Sequence, residues 1–523
     1  MTSARYLVQS GNLPVSDPME ESEPQSGKSS YGQILKSSSV IGGSNGINYV
    51  ISLARIKIVA ILLGPSGVGL IGLYQSTIGL VGTLSGMGIG SSGVREVASA
   101  HGTGDAARMA TAAKTLRRSS MATGVLGCLL TIALASPLSR WTFGTEDHAF
   151  HVALLGITVL LGAIHSGQAA LLQGTRRIRE LAVVTVISAA ISTTVAIAIY
   201  AVFGTEGIVP VLIATAAINL LLSWWFARQI PVSEIALRWV ETWQNAKELL
   251  GLGLAFMWGA LLAAAVALIV RSVIVRELGL DAAGIYTSAW GLSGMFASFV
   301  LGAMGIDFYP RLTAAAHDDA EINRLVNEQI EIGVLLALPG LVATQAFAPL
   351  VMQLFYSREF LAGAELLQWF VLGVMLQVVA WPLGFIQRAK GASRWMYLSQ
   401  TEAYVVLLGL SIGLLHYYND VVGVALALPC MYAVHLVITV LIARHLSSFR
   451  YTPQSIRLQQ SAVGLTLVGF SIQRWLPYHY SLAIGVLVTM GAVYFSLRGI
   501  IQRIGDEHRV ARFIRGLPGG KFI

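Results

Sequence analysis

Hydrophobic positions along this chain form long unbroken runs, which short polar segments rich in Gly, Pro and charged residues separate. A run such as LLAAAVALIV (261–270) is apolar on every face, unlike the alternating segments of a transmembrane β-barrel. Because a helix needs ~20 mostly apolar residues to cross a bilayer, the pattern predicts about fourteen transmembrane helices. The predicted spans are approximately 38–62, 67–94, 119–137, 150–173, 181–203, 207–227, 249–275, 283–309, 330–353, 363–387, 397–416, 420–443, 459–476 and 481–498.

The composition excludes an ordinary soluble protein. Of the 523 residues, 55% are hydrophobic and 12% are charged, whereas soluble domains carry ~25% charged residues. The predicted fold is therefore an all-α polytopic membrane protein. Residues 1–36 are polar and include Glu20, Glu21 and Glu23, without the apolar core of a secretory signal, and we expect them to form a disordered cytoplasmic tail.

The orientation of the spans is predicted from where the 35 Lys and Arg residues fall. Twenty-eight lie in the N-terminal segment, in the C-terminal segment (499–523) together with Arg498 just before it, or in the loops after even-numbered spans, and four lie in the opposite loops. Since basic residues are retained in cytoplasmic loops, both termini are expected in the cytoplasm. This topology accounts for the formal charge of +8, so no nucleic-acid partner is indicated.

The remaining three cations, Arg55, Lys57 and Arg271, lie inside predicted spans. A charge at the centre of a membrane helix costs ~2.5 to 3.5 kcal/mol, so such residues usually face a watery cavity or a partner. Snorkelling of the long side chains to the headgroups is the alternative. Arg55 and Lys57 are two residues apart and cannot share one helix face. All three are candidate substrate-binding residues.

The two halves of the chain resemble each other at an offset of about 216 residues. The matched positions include Arg55 with Arg271, Leu63-Gly64 with Leu278-Gly279, and Gly69 with Gly284. Six spans separate the copies, so they are parallel repeats, which in transporters flank a central site and move to give alternating access. We therefore predict two pseudo-symmetric six-helix lobes, 37–230 and 231–445, followed by two C-terminal helices within 446–498.

The stretch LGPSGVGLIGLYQSTIGLVGTLSGMGIGSSGVREV (63–97) resembles the first hairpin of bacterial O-antigen and polysaccharide translocases. These proteins are flippases of the multidrug/oligosaccharidyl-lipid/polysaccharide exporter superfamily. Further similar segments are RELGLDAAGIYTSAWGLSGMF (276–296), FYPRLTAAA (308–316) and LFYSREFLAGAELL (354–367). Family members often carry a basic residue in the first span, a position that Lys57 matches, whereas Arg55 is particular to this chain.

The resemblance implies a V-shaped pair of lobes that moves undecaprenyl-pyrophosphate-linked oligosaccharide to the periplasmic leaflet for lipopolysaccharide or other surface polysaccharide biosynthesis. It also implies membrane lipids, a polysaccharide polymerase and chain-length proteins as partners. Guanidinium groups suit an anionic substrate of this kind because they bind phosphate oxygens through paired hydrogen bonds.

If transport is coupled to an ion, the candidate residues are Asp307, Glu365, Glu402 and His165. Each of them has an alternative interpretation as an interfacial or helix-packing polar group.

Two other functions remain open. A multidrug or cation antiporter of the same superfamily is disfavoured because spans 1–6 contain no Asp or Glu in their interiors. A membrane-embedded polysaccharide polymerase is disfavoured because the longest outer loop, about 138–149, is short. No phosphate-binding loop motif, cofactor site or metal site is predicted, and Asp147, His148 and His151 are interpreted as solvated. We expect a transporter and not an enzyme.

Overall fold

The computed structural model describes residues 26–233 and 235–504, and every regular element in those ranges is a helix. Side chains are described from residue 46 onward, except at 234, 248, 252, 255, 256, 299, 303, 305–307, 473, 478, 479 and 504. The α-helices are α1 (Ser26–Gly86), α2 (Ile89–Thr103), α3 (Ala106–Ala133), α4 (Ala135–Phe143), α5 (Ala149–Gly174), α6 (Ile178–Phe203), α7 (Ile208–Ala227), α8 (Trp239–Ala314), α9 (Asp319–Ala346), α10 (Ala348–Phe355), α11 (Gly363–Ala389), α12 (Ser393–Tyr418), α13 (Val421–Ser447), α14 (Pro453–Trp475) and α15 (Tyr478–Ile504). Short 3-10 helices cover Gly204–Gly207 and Arg358–Phe360.

Helix α1 starts earlier than the sequence pattern predicts. It begins at Ser26, so residues 26–36, which were assigned to a disordered tail, are helical. Residues 1–25 of that predicted tail lie outside the described part of the chain, as do residues 505–523 of the predicted basic tail.

Nine helical segments within the described residues are long and apolar enough to cross a membrane, or ten if the α3–α4 pair, bent by 59°, is one span. Three of them are 41, 50 and 46 residues long, at Gly46–Gly86, Ile178–Ala227 and Met257–Gly302. Since one crossing needs ~20 residues, each is long enough for two. The predicted span at 459–476 lies in α14 and is not among the nine, because that helix carries several polar residues. The count of fourteen stays a prediction.

Both α1 and α8 are interrupted by one glycine with a positive φ. Gly64 has φ 64° and ψ −172°, and Pro65 follows it; Gly279 has φ 87° and ψ 177°. Glycine adopts such a conformation without the steric cost that a Cβ atom would add. The two interruptions fall at the Leu63-Gly64 and Leu278-Gly279 positions that the repeat alignment pairs.

The N-terminal and C-terminal halves meet most extensively where α1 packs on α8. A Cβ atom built on Gly69 would lie 2.3 Å from the carbonyl oxygen of Leu280, and one built on Gly284 would lie 1.8 Å from that of Pro65. The two backbones are therefore in direct contact, which only residues without a side chain allow. We call this region, beside the bends at Gly64 and Gly279, the kink end of the bundle.

The halves also touch near the opposite end of the same helices. A Cβ atom on Gly88 would lie 2.2 Å from the carbonyl oxygen of Gly253, another backbone contact between the halves. The segment joining α7 to α8 is held to the N-terminal half by Lys114, whose ammonium donates to the carbonyl of Ile235 at 2.6 Å. The Arg118 guanidinium donates to a carbonyl of the same segment at 2.9 Å.

The last two helices form an additional pair that packs on α9. One ion pair joins Arg503 of α15 to Glu331 of α9 at 2.6 Å, with only 11% of the Glu331 side chain exposed. A second, more exposed pair joins Arg474 of α14 to Glu365 at 2.5 Å. These contacts attach α14 and α15 to the C-terminal half of the molecule.

Candidate substrate cavity

A large cavity lies inside the C-terminal half, between α8, α11, α12 and α13. Its volume is about 950 Å³, and its lining includes Arg271, aromatic residues and several glutamines. A second cavity, of about 600 Å³, lies in the N-terminal half and is lined by small residues such as Gly79, Gly82 and Thr83. Ala260 of α8 lines both cavities, so they adjoin at that helix.

Arg271 lies on the wall of the larger cavity and is only 8% exposed. Its Nη1 donates to the carbonyl of Ala267 at 3.1 Å, its Nε makes a long contact of 3.4 Å with the Thr287 hydroxyl, and its guanidinium carbon is 5.5 Å from the centre of the Tyr286 ring. None of the described side chains supplies a carboxylate to pair with it. Among the described side chains, Arg271 is therefore a buried positive charge without a matching negative charge.

The bend at Gly279 creates this environment. Arg271 and Thr287 are 16 residues apart, a separation of ~24 Å along a straight helix. They are in contact because α8 folds back on itself, so that its second segment supplies Thr287 and Tyr286 to the guanidinium of the first. The backbone conformation of Gly279 thus places the Arg271 guanidinium beside Thr287 and Tyr286.

Lys57 does not line this cavity. Its ammonium donates to the carbonyl of Gln353 at 2.7 Å and also to that of Tyr356, at the C-terminal end of α10. The last carbonyls of a helix are unsatisfied and carry partial negative charge, which a cation neutralises. Lys57 therefore links α1 of the N-terminal half to α10 of the C-terminal half, close to the kink end.

Arg55 lies apart from both other cations. Its side chain lies near the hydroxyl of Tyr200, a buried residue of α6. Neither Arg55 nor Lys57 is among the residues that line the Arg271 cavity. The structure thus places the three predicted cations at three different sites.

The ion-coupling candidates have different surroundings. His165 of α5 lies 3.1 Å from the carbonyl of Asn219 and 3.0 Å from the Ser223 hydroxyl, both on α7, and so connects two helices. Glu365 forms the ion pair with Arg474 described above. The side chain of Asp307 lies outside the described residues.

Glu402 has the most distinctive environment of the four. Its Oε2 is 2.9 Å from Nδ1 of His435, and the two side chains are 14% and 18% exposed. Oε1 of Glu402 is buried and has no hydrogen-bond partner among the described side chains and backbone. His435 lines the same cavity as Arg271. The pair joins α12 to α13 at the cavity wall.

Several residues that line the cavity were not predicted from the sequence. His435 is a lone histidine in an apolar span, and its pairing with Glu402 depends on how α12 packs against α13. Arg388 was counted as a loop cation, but it reaches the cavity with its guanidinium carbon 4.5 Å from the centre of the Phe385 ring. The aromatic lining could not be separated from ordinary core residues by sequence pattern.

His148, which directly precedes α5, is half-buried against aromatic groups and is not fully solvated as the sequence pattern indicates. The His148 ring stacks on Phe143 with 3.9 Å between centroids, and its Nδ1 is 3.2 Å from the Tyr74 hydroxyl. Burial lowers the pKa of His148. Within the described residues, no group of three or more His, Cys, Asp or Glu could hold a metal ion.

Comparison with known proteins assigns this architecture to a family. The family model described as polysaccharide biosynthesis protein matches residues 58–365, more than half of the chain. The lipid III flippases of Escherichia coli (strain K12) and Shigella flexneri are each 23% identical to it over 367 residues, which cover 67% of this chain and 84% of theirs.

Solved structures share the fold. The lipid II flippase MurJ in an inward closed conformation has a TM-score of 0.66 at 11% identity, covering 89% of this chain and 99% of its own. An inward-facing multidrug resistance MATE family transporter of the MOP superfamily has a TM-score of 0.61 at 17% identity, covering 79% and 96%. These findings confirm the superfamily that the segments at 63–97 and 276–296 predict. The chain is a multi-pass helical membrane protein and belongs to the polysaccharide biosynthesis protein family.

Proposed function

We propose that this protein is a flippase that moves undecaprenyl-pyrophosphate-linked oligosaccharide from the cytoplasmic to the periplasmic leaflet of the bacterial inner membrane. In this proposal the chain crosses the membrane fourteen times with both termini in the cytoplasm. Two lobes, corresponding to the N-terminal and C-terminal halves, alternate around the substrate, which is destined for surface polysaccharide.

The observation that carries the proposal is the buried Arg271 on the wall of the 950 Å³ cavity, with no carboxylate beside it among the described side chains. An unpaired guanidinium in a low-dielectric site is costly by itself and is stabilised when an anion binds. A lipid-linked pyrophosphate supplies two negatively charged groups that a guanidinium binds through paired hydrogen bonds. Arg55 and Lys57, the other predicted substrate contacts, are not among the residues that line this cavity.

The membrane potential favours export of such a substrate. Each charge that crosses 100 mV contributes ~2.3 kcal/mol, so two negative charges that leave a negative interior gain roughly 4 to 5 kcal/mol. Coupling to an ion would add a second, separate contribution to the free energy that drives export.

Ligand-dependent thermal stabilisation tests the substrate class. A ligand that binds only the folded protein raises its apparent melting temperature with concentration. We expect polyprenyl pyrophosphate, with or without a sugar, to stabilise the purified protein, and polyprenol and a lipophilic cationic dye not to. Stabilisation by the dye and not by the pyrophosphate would instead support the multidrug antiporter, the other function that members of this superfamily perform.

We further propose that the coupling ion is a proton held by Glu402 and His435. The Glu402 carboxylate and the His435 imidazole are in contact at 2.9 Å, and Oε1 of Glu402 has no hydrogen-bond partner among the described residues, so a proton could bind there. His435 of this pair and Arg271 line the same cavity. Other titratable or charged groups that face this cavity are Arg271, Tyr286 and Tyr309 of α8, Arg388 of α11, Tyr404 of α12 and Tyr432 of α13.

Replacing Glu402 with glutamine should uncouple transport from the proton gradient. Glutamine keeps the size of the side chain and a hydrogen-bonding oxygen but cannot carry the proton. In proteoliposomes, we expect an imposed pH gradient to accelerate substrate transfer by the native protein and to leave Glu402→Gln unaffected, with transfer at zero gradient within about threefold of native. Glu365→Gln, which removes a carboxylate paired with Arg474 away from the cavity, is the matched control and should keep the acceleration. An unchanged gradient response in Glu402→Gln would overturn this assignment.

A further inference from the structure

One wall of the Arg271 cavity is aromatic. Trp381 and Phe385 of α11 have ring centroids 4.3 Å apart, and Trp290 of α8 stacks on Tyr286 at 5.9 Å with an interplanar angle of 19°. All four rings line the cavity. Trp290, Trp381 and Phe385 are only half-buried, so part of each ring is open to the cavity.

The polar groups of the cavity include an amide with an unused hydrogen-bonding position. Gln387 is 2% exposed, and its Oε1 accepts a hydrogen bond from the Ser399 hydroxyl at 3.0 Å. Its Nε2 is buried and has no partner among the described residues. A buried donor without a partner costs roughly 1 to 3 kcal/mol, which a ligand oxygen that accepts from it would offset. Gln377 and Gln400 also line the cavity.

This combination of groups matches a carbohydrate better than an apolar ligand. A pyranose ring presents a face of C–H groups, which pack on tryptophan and tyrosine rings, and a rim of hydroxyls, which amide side chains bind. An apolar drug would supply neither a hydrogen-bond acceptor for Gln387 Nε2 nor a negative charge for Arg271. The volume of about 950 Å³ is near the upper end of the ~300 to 1,000 Å³ found for small-molecule sites, large enough for a short oligosaccharide.

We infer that the cavity of the C-terminal half is a saccharide-binding site, which holds the first sugar of the lipid-linked glycan. Trp381 and Trp290 contact the apolar face of the ring, and Gln387 donates to a hydroxyl or carbonyl oxygen. Because the first sugar is attached directly to the pyrophosphate, its place beside Arg271 follows from the proposed function, on which this inference rests. The site would make binding depend on the sugar as well as on the lipid phosphate.

Paired lipids test the inference. The probes are geranylgeranyl pyrophosphate and its conjugates with N-acetylglucosamine, glucose or galactose, and the measurement is their dissociation constants for the purified protein. We expect at least one conjugate to bind the native protein ten times or more tightly than the bare lipid. Trp381→Leu and Gln387→Leu should each reduce that sugar-dependent ratio about tenfold and leave affinity for the bare lipid within twofold, which also shows that the variants are folded.

Trp369→Leu is the matched control. Trp369 lies on the same helix as Trp381 but packs on Phe470 of α14, with ring centroids 4.6 Å apart, and does not line the cavity. Trp369→Leu should keep the native ratio between the affinity for the sugar conjugate and the affinity for the bare lipid. Equal affinity of the native protein for the bare lipid and for every conjugate would overturn the saccharide site and leave the flippase proposal standing. If no pyrophosphate lipid binds at all, the proposed function itself fails.

Discussion

Replacing Arg271 with glutamine should weaken the binding of polyprenyl pyrophosphate about 100-fold. Removing one partner of a buried, hydrogen-bonded charge pair typically costs ~2 to 5 kcal/mol, and ~2.7 kcal/mol corresponds to 100-fold in affinity. Glutamine keeps an N–H group that can donate to the carbonyl of Ala267. It lacks the positive charge and the planar guanidinium group that binds two phosphate oxygens at once. We expect leaflet transfer at low substrate concentration to fall by a similar factor.

Arg276→Gln provides the control for this experiment. Arg276 lies on the same helix, five residues further along, but it is exposed and does not line the cavity. Calorimetric titration should show that Arg276→Gln binds polyprenyl pyrophosphate with native affinity. Native affinity in Arg271→Gln would mean that the substrate pyrophosphate binds elsewhere, with Arg55 beside Tyr200 as the next cation to change.

Replacing Gly284 with alanine should force the two halves apart at the kink end and slow transport at least tenfold. The added methyl carbon would lie 1.8 Å from the carbonyl oxygen of Pro65, far inside contact distance, and the obstacle is backbone, which no side-chain rotation relieves. The α1–α8 contact must therefore open. In the proposed topology the kink end faces the periplasm, so the variant should be unable to close that side during the cycle.

A distance measurement between spin labels separates this effect from misfolding. Labels at Leu62 and Asp281, one on each half at the kink end, should show a longer mean distance in Gly284→Ala than in the parent protein, with Cys128 and Cys430 first replaced by serine. Gly79→Ala is the control, because nothing lies within 4 Å of a Cβ atom at that position. An unchanged distance together with native transport would show that the glycine contact does not set the separation of the halves.

The fold class and the positions of the two bends could be predicted from sequence. Long apolar runs require helices that satisfy their own backbone hydrogen bonds in lipid, which explains why every regular element in the described ranges is helical. The repeat alignment paired Gly64 with Gly279 and Gly69 with Gly284. It did not reveal that the second pair forms the contact between the halves, because symmetry-related residues meet only where they lie next to the symmetry axis.

The candidate site was predictable only in part. Arg271 was singled out because an arginine within an apolar span must be accommodated, and it does line a cavity. Lys57 is likewise a cation within an apolar span, yet its ammonium binds the carbonyls of Gln353 and Tyr356, which are 296 and 299 residues away along the chain. No local sequence pattern predicts such a helix-capping contact. The substrate role of Arg55, Lys57 and Arg271 stays a prediction. The Glu402–His435 pair and the position of Gln387 Nε2, which has no partner among the described residues, likewise depend on the relative rotation of α11, α12 and α13.

Leaflet transfer in proteoliposomes tests the central claim most directly. The substrate is a fluorescent undecaprenyl-pyrophosphate oligosaccharide, and its movement is followed by the fraction that a membrane-impermeant reagent can reach, under a defined voltage. We predict rapid transfer with the native protein, acceleration by a voltage negative on the side from which the substrate departs, and little transfer with the folded Arg55→Ala, Arg271→Ala double variant. Absence of transfer by the native protein under both a voltage and a pH gradient would contradict the flippase assignment.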